Sequence, residues 1–152
     1  MLFYINISIY LFQIPLLINN SDMNKNHLIN VDFSNSGGNV KANIILFSFK
    51  EEENFIVYSP HLDVSGYGKT EKEAMESFNH CLGVFLDYTV NKNTLHSELI
   101  HLGWQLKKGT AKTPKKVNAP SWSDLLKKNT SLEDLLNKHN VTTIQREVAI
   151  PV

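Results

Sequence analysis

The sequence contains a single cysteine, Cys81, which excludes a disulfide within one chain. A lone cysteine is typical of a reducing compartment, and we expect a cytoplasmic protein. No pair of cysteines and no His-Glu-x-x-His motif is present to bind zinc. Of the six histidines, His96 and His101 are five residues apart, which does not place both on one face of a helix. We therefore predict no metal, no cofactor and no enzymatic activity.

The chain also lacks a net charge, because 15 acidic residues balance 15 basic ones. A molecule of zero net charge has no overall attraction to nucleic acid or to a charged membrane. The charges are nevertheless unevenly placed. Residues 51–76 contain seven acids and two lysines, whereas residues 105–128 contain seven lysines and one acid. This asymmetry indicates either two surfaces for two partners or two solvated faces.

The first 22 residues are the least typical part of the sequence. Residues 1–18 are apolar and uncharged, but they lack the basic start and the cleavage site of a signal peptide. Asn6, Gln13 and Pro15 disfavour a membrane-spanning helix. Three interpretations stay open: translation begins at Met23 and residues 1–22 are an artefact of the chosen start, the segment is a signal or anchor, or it is an ordinary strand. Residues 19–43 are typical of a loop, with a short strand at Leu28–Phe33.

Strand patterns follow this loop. Residues 43–50 and 54–59 are rich in β-forming side chains and predict a hairpin across the acidic turn between them. Pro60 ends the second strand because proline has no N–H for a ladder. Residues 62–68 predict a short third strand, in which two glycines permit a bulge or a close approach of another backbone: Gly66 and Gly68.

The best local signal is a helix start at Thr70. Glu73 stands three residues later, which forms a capping box: the threonine hydroxyl accepts from the Glu73 N–H while the carboxylate reaches back to the Thr70 N–H. Apolar side chains then recur at helical spacing, and the helix is expected to end near Val90 and to pack on one sheet face. The predicted stripe contains Ala74, Phe78, Cys81, Leu82, Phe85 and Tyr88.

The rest of the chain predicts shorter elements. A second helix is predicted to begin at Thr94 and to end before Gly103, and residues 104–108 are a candidate fourth strand. Two short helices, each begun by a serine, and a closing strand complete the sequence. The sequence therefore predicts four segments along the chain. An extension at 1–22 precedes an α+β domain at 23–108. A linker at 109–120, rich in Pro, Gly and Lys, then leads to a helical tail at 121–152 that ends in a strand.

Other candidates for chemistry have simpler structural interpretations. The run Gly-Tyr-Gly-Lys-Thr at 66–70 is similar to part of a phosphate-binding loop, but it lacks the first glycine and is too short to wrap a phosphate. His61 directly follows Pro60 and is expected to be a loop residue rather than a general base. Cys81 lies on the apolar stripe and is expected to be an inert buried thiol.

The order of strand, strand, strand and capped helix resembles the HicB antitoxin family over roughly residues 43–108. The resemblance depends on an aromatic residue before Pro-x-Leu, a Gly-containing segment, Gly-x-Thr, and Glu-Ala in the helix. In this chain the matching positions are Tyr58, Pro60, Leu62, Gly66, Gly68, Thr70, Glu73 and Ala74.

This resemblance implies a small α+β domain that binds and neutralises a small basic ribonuclease, a HicA-like mRNA interferase. From the charge distribution we infer that the partner-binding residues are acidic. The candidates are Glu51, Glu52, Glu53, Glu71 and Glu76. The expected fold is α+β, with a three- or four-stranded antiparallel sheet and one long helix on one face.

The C-terminal tail departs from the family pattern. A ribbon-helix-helix needs a strand before its two helices, whereas here the strand follows them, which argues against DNA binding and transcriptional repression. The closing strand could pair with the sheet of its own chain, with the sheet of a second copy in a homo-oligomer, or with the edge of a partner's sheet. Two alternative functions stay open: a stand-alone regulatory or interaction domain, and a weak nucleic-acid binder that uses Lys107–Lys128.

Overall fold

The computed structural model describes residues 38–110 and 115–151. The expectations for residues 1–22 and for a strand at Leu28–Phe33 lie outside the described residues. In chain order the strands are β1 (Asn39–Glu51), β2 (Asn54–Ser59), β3 (Val64–Gly68), β4 (Gln105–Lys107), β5 (Lys116–Asn118) and β6 (Thr142–Pro151). The helices are α1 (Glu71–Asn91) and α2 (Leu95–His101), which precede β4, and α3 (Trp122–Lys128) and α4 (Ser131–Lys138), which precede β6.

Four strands form one antiparallel sheet in the order β3-β2-β1-β6. The acidic turn joins β1 to β2 as predicted, with Phe47 opposite Tyr58. The other edge of β1 pairs along its length with β6, so that Ile44 lies opposite Arg146. The terminal strand therefore joins the sheet of its own chain. The predicted α+β class and four-stranded antiparallel sheet are confirmed, but the fourth strand is β6 rather than the segment 104–108.

Helix α1 covers one face of the sheet and forms the main core with it. Side chains at alternate positions of β1 face α1, and Phe78 of α1 is fully buried among them. The predicted stripe is partly wrong, because Tyr88 is 61% exposed. The buried row instead contains Ala74, Phe78, Leu82, Leu86 and Thr89, with Cys81 and Phe85 half-buried beside it.

Helices α3 and α4 cover part of the opposite face. The intervening side chains of β1, Phe47 and Phe49, point to this side and form a second core with Leu125 of α3 and Leu132 of α4. The Phe47 and Trp122 rings meet edge to face, with centroids 5.7 Å apart. Because β1 is buried on both faces, its apolar residues are nearly continuous rather than alternating.

The segment predicted to be a linker, 109–120, contains strand β5. This strand pairs with β4 in a separate two-stranded ribbon, with Leu106 opposite Val117. Val117 belongs to the main core, which is the physical reason that this lysine-rich segment is structured where it is described. Within residues 38–110 and 115–151, no helix is both long and apolar enough to span a membrane.

Candidate partner-binding surface

The residues that carry the family resemblance hold α1 against β3. A Cβ atom built on Gly66 would lie 2.0 Å from the Phe78 backbone nitrogen, and one on Gly68 would lie 2.4 Å from Glu73 Cβ. Such distances leave no room for any side chain, so both glycines are required for the contact between strand and helix. Ala74, the small residue of the helix at this contact, is fully buried. Of the two roles predicted for the glycines, the structure shows the close backbone approach.

The start of α1 is fixed by the predicted cap. Thr70 Oγ1 accepts the Glu73 N–H at 3.2 Å. The Glu73 carboxylate reaches back further than predicted and accepts the N–H of Lys69 at 2.7 Å. The first bond satisfies a backbone donor that a helix start otherwise leaves unpaired, and the second ties the residue before the cap to the first turn. Glu73 is therefore used by the cap, and it also places negative charge at the positive end of the helix dipole.

Tyr58, Pro60 and Leu62 shape the connection from β2 to β3. All three are buried, and the Tyr58 hydroxyl donates to Asp63 Oδ1 at 3.0 Å. Burial, followed by the charge of Asp63, raises the pKa of the Tyr58 phenol well above its usual range. Asp63 itself has a positive φ of 53°. The turn is thus held by side-chain packing, by this hydrogen bond and by a backbone bond from the Leu62 N–H to the Ser59 carbonyl at 3.4 Å.

His61 has a structural role that the sequence did not reveal. Its side chain is almost fully buried, and Nδ1 accepts the Ile45 N–H at 3.1 Å. The His61 carbonyl accepts the indole N–H of Trp104 at 2.6 Å. Burial lowers the pKa of His61, and a hydrogen bond with the backbone of Pro120 opposes this effect. The predicted loop residue therefore ties β1 to two later segments of the chain.

The acidic residues predicted to bind a partner come from two connections at the same end of the sheet. Glu51 lies opposite Asn54 where β1 turns into β2, and Phe55 lies opposite Gly68, three residues before α1 begins. The β1–β2 turn and the start of α1 are therefore neighbouring features. We call this surface the acidic end, and its exposed members are Glu51, Glu52, Glu53, Glu71, Glu73 and Glu76.

The acidic end is only partly neutralised. Glu76 lies 3.8 Å from the ammonium of Lys72, one turn away on α1. Glu51 lies 3.9 Å from the imidazole of His139. No ion pair of Glu52, Glu53 or Glu71 is found within the described part of the chain. Because exposed carboxylates on rigid elements attract cations at long range, this end can steer and orient a basic partner.

The lysine-rich region is divided by the fold into separate surfaces. Lys107 and Lys116 lie opposite each other on the β4–β5 ribbon. Lys127 and Lys128 lie on α3, where the Lys128 ammonium donates to the carbonyl of His101. The predicted segment Lys107–Lys128 is therefore not one continuous basic face in its described residues.

The described residues bring together no group of three or more His, Cys, Asp or Glu side chains that would bind a metal. Cys81 is half-buried, and burial raises the pKa of its thiol, which lowers its reactivity at neutral pH.

Comparisons with protein-family models, with curated proteins and with solved structures find no match to this chain.

Proposed function

We propose that this chain is a non-enzymatic cytoplasmic module that binds a small basic ribonuclease and blocks its RNA-binding or catalytic face. The proposal joins the HicB-like motif to the geometry of the acidic end. The observation that carries it is the placement of Glu52, Glu53 and Glu71 at one end of the sheet, exposed and on well-fixed elements. A ribonuclease binds polyanionic RNA through cations, and an acidic surface presents charges of the same sign as RNA.

The rigidity of the acidic end supports binding as well as steering. The Thr70 cap and the glycine contacts fix the start of α1 against β3, and β1 and β2 fix the neighbouring turn. A surface that is already ordered loses little conformational entropy when a partner binds. Charged residues at the rim of such an interface mainly accelerate association, and their effect decreases as salt increases.

The proposal is tested by capture of partners from the native cell with three tagged full-length baits. The first is the wild-type chain, and the second carries Glu52→Gln, Glu53→Gln and Glu71→Gln. The third is a matched control that removes three exposed acids elsewhere: Asp87→Asn, Glu98→Gln and Glu147→Gln. Co-purified chains are identified and quantified by mass spectrometry.

We expect the wild type and the control to recover one small basic protein in near-equal molar amount. The acidic-end variant should recover at least about fivefold less, because it loses steering and complementarity. Recovery of the wild-type bait alone contradicts the proposed function and leaves a stand-alone interaction domain. Equal recovery by all three baits keeps the partner but contradicts the role of the acidic end.

A further inference from the structure

A cleft opens at the other end of α1 from the acidic end. It lies between the last turn of α1, helix α2 and the β4–β5 ribbon, and it has a volume of about 570 Å³. Pockets for small ligands in proteins commonly have volumes of roughly 300–1,000 Å³. The acidic end and this cleft are separated by the length of α1, which is about 30 Å for its 21 residues.

The floor of the cleft is aliphatic. Leu106 of β4 and Val117 of β5 are directly opposite each other, so both side chains lie on the same face of the ribbon. That face packs on the main core, to which Leu95 and Leu99 of α2 also belong. All four side chains line the cleft, together with Val90 of α1. The cleft therefore offers an apolar surface that an aliphatic chain can cover.

The rim of the cleft is basic. Four lysines line it from both strands and their adjoining residues, with His96 beside them, and none of the described lining residues is Asp or Glu. Lys107 and Lys116 are directly opposite each other on the ribbon. Successive residues of a strand point to opposite faces, so this pair lies on the face of the ribbon away from Leu106 and Val117. Lys108 and Lys115 stand two positions from Leu106 and Val117, respectively, which places them on the side of the aliphatic floor. The four lysines are Lys107, Lys108, Lys115 and Lys116.

The composition of the lining selects among anions. Proteins that bind single-stranded nucleic acid stack bases on aromatic or arginine side chains, and the described lining contains neither. Arginine is also the residue that most often forms bidentate hydrogen bonds with phosphate, whereas lysine supplies a point charge. We propose that the cleft is a binding site for a small organic anion with an aliphatic body, of which a medium-chain carboxylate is the simplest example. This site is independent of the proposed partner-binding function.

The test uses octanoate as the probe, with acetate and 1-octanol as matched compounds that keep only the charge or only the chain. Each is titrated into the full-length protein and followed by two-dimensional NMR and calorimetry. We expect saturable octanoate binding at one site, with shifts concentrated on residues 89–99, 105–109 and 115–117. Acetate and 1-octanol should each bind at least about tenfold more weakly, because both parts of the site contribute.

Two variants separate the basic rim from a general charge effect. Lys108→Gln with Lys115→Gln should weaken octanoate binding at least about fivefold and leave 1-octanol binding unchanged. The control, Lys69→Gln with Lys72→Gln, removes the same charge at the acidic end and should alter octanoate affinity by less than about twofold.

Four results would overturn the proposal. The first is octanoate binding that does not saturate at millimolar concentration, and the second is equal affinity for octanoate and 1-octanol. The third is a set of NMR chemical-shift changes centred on the exposed apolar residues Val84 and Tyr88. The fourth is displacement of octanoate by a thymidine oligonucleotide. The last result would assign the cleft to nucleic acid.

Discussion

Gly66 of β3 and Phe78 of α1 are in backbone contact, since a Cβ atom at position 66 would fall 2.0 Å from the Phe78 nitrogen. Gly66→Ala must therefore push α1 away from the sheet. We expect it to lower the free energy of unfolding by about 1–3 kcal/mol or more, measured by urea denaturation.

The matched control is Gly83→Ala, in the middle of the same helix, where an added Cβ meets nothing within 4 Å. Alanine is favoured over glycine inside helices by about 0.5–1 kcal/mol, so this variant should be more stable than the wild type. Equal effects of the two substitutions would contradict the close strand–helix contact.

Tyr58 and Ser59 provide a second comparison, between two neighbouring buried hydroxyls. The Tyr58 hydroxyl is hydrogen-bonded to Asp63, whereas the Ser59 hydroxyl is buried and has no partner within the described structure. Tyr58→Phe should cost about 0.5–1.5 kcal/mol of stability, and Ser59→Ala should be neutral or stabilising. Thermal unfolding of both variants checks this, and a larger loss for Ser59→Ala would show that the Ser59 hydroxyl does have a partner.

His61 predicts a pH dependence of stability. Burial lowers its pKa in the folded state, so below the ordinary histidine pKa of about 6.5 the unfolded chain binds the proton more readily. The free energy of unfolding should therefore fall as the pH decreases from about 6.5 towards the lower folded-state pKa, and this contribution should be constant above about 6.5. Urea denaturation between pH 5 and 8 measures the slope.

His61→Asn keeps an acceptor near Nδ1 but removes the titration, so it should flatten this slope. If His61→Asn retains the wild-type slope, another group is responsible for the pH dependence.

The terminal strand should be essential for stability, because β6 forms an edge of the main sheet. Ile150 is fully buried, and Ile150→Ala should cost about 2–5 kcal/mol. Ile100 on α2 is 53% exposed, and Ile100→Ala should change stability by less than about 1 kcal/mol. Urea unfolding should also show one transition. A small effect of Ile150→Ala, or a separate transition for the tail, would contradict the pairing of β6 with β1.

Local signals in the sequence predicted the hairpin and the helix start, although β1 begins at Asn39, inside the segment 19–43 that was predicted to be a loop. The β1–β2 hairpin and the Thr70 cap follow from neighbouring residues, and the structure contains both. The location of the acidic end follows from the same two features. The end of α1 was predicted within one residue, but the exposure of Tyr88 was missed because helical spacing gives a broad stripe whose edges depend on tertiary contacts.

Long-range pairings explain what the sequence did not predict. β6 pairs with β1 across about one hundred residues, and periodicity carries no information about which strands become neighbours. The continuous apolar run through Phe47 and Phe49 did contain a usable signal, because it is typical of a strand covered on both faces. Similarly, Lys108 and Lys115 line one cleft only because β4 pairs with β5.

An activity measurement tests most directly whether the chain neutralises a ribonuclease. The protein recovered with the wild-type bait is separated from the complex, and its cleavage of a fluorescent RNA is measured with increasing amounts of the chain. We expect cleavage by the partner alone and complete inhibition near one equivalent of the chain. We also expect weaker inhibition by the variant Glu52→Gln, Glu53→Gln and Glu71→Gln. A partner without RNA-cleaving activity, or cleavage that continues at saturating amounts of the chain, would show that the chain does not neutralise a ribonuclease.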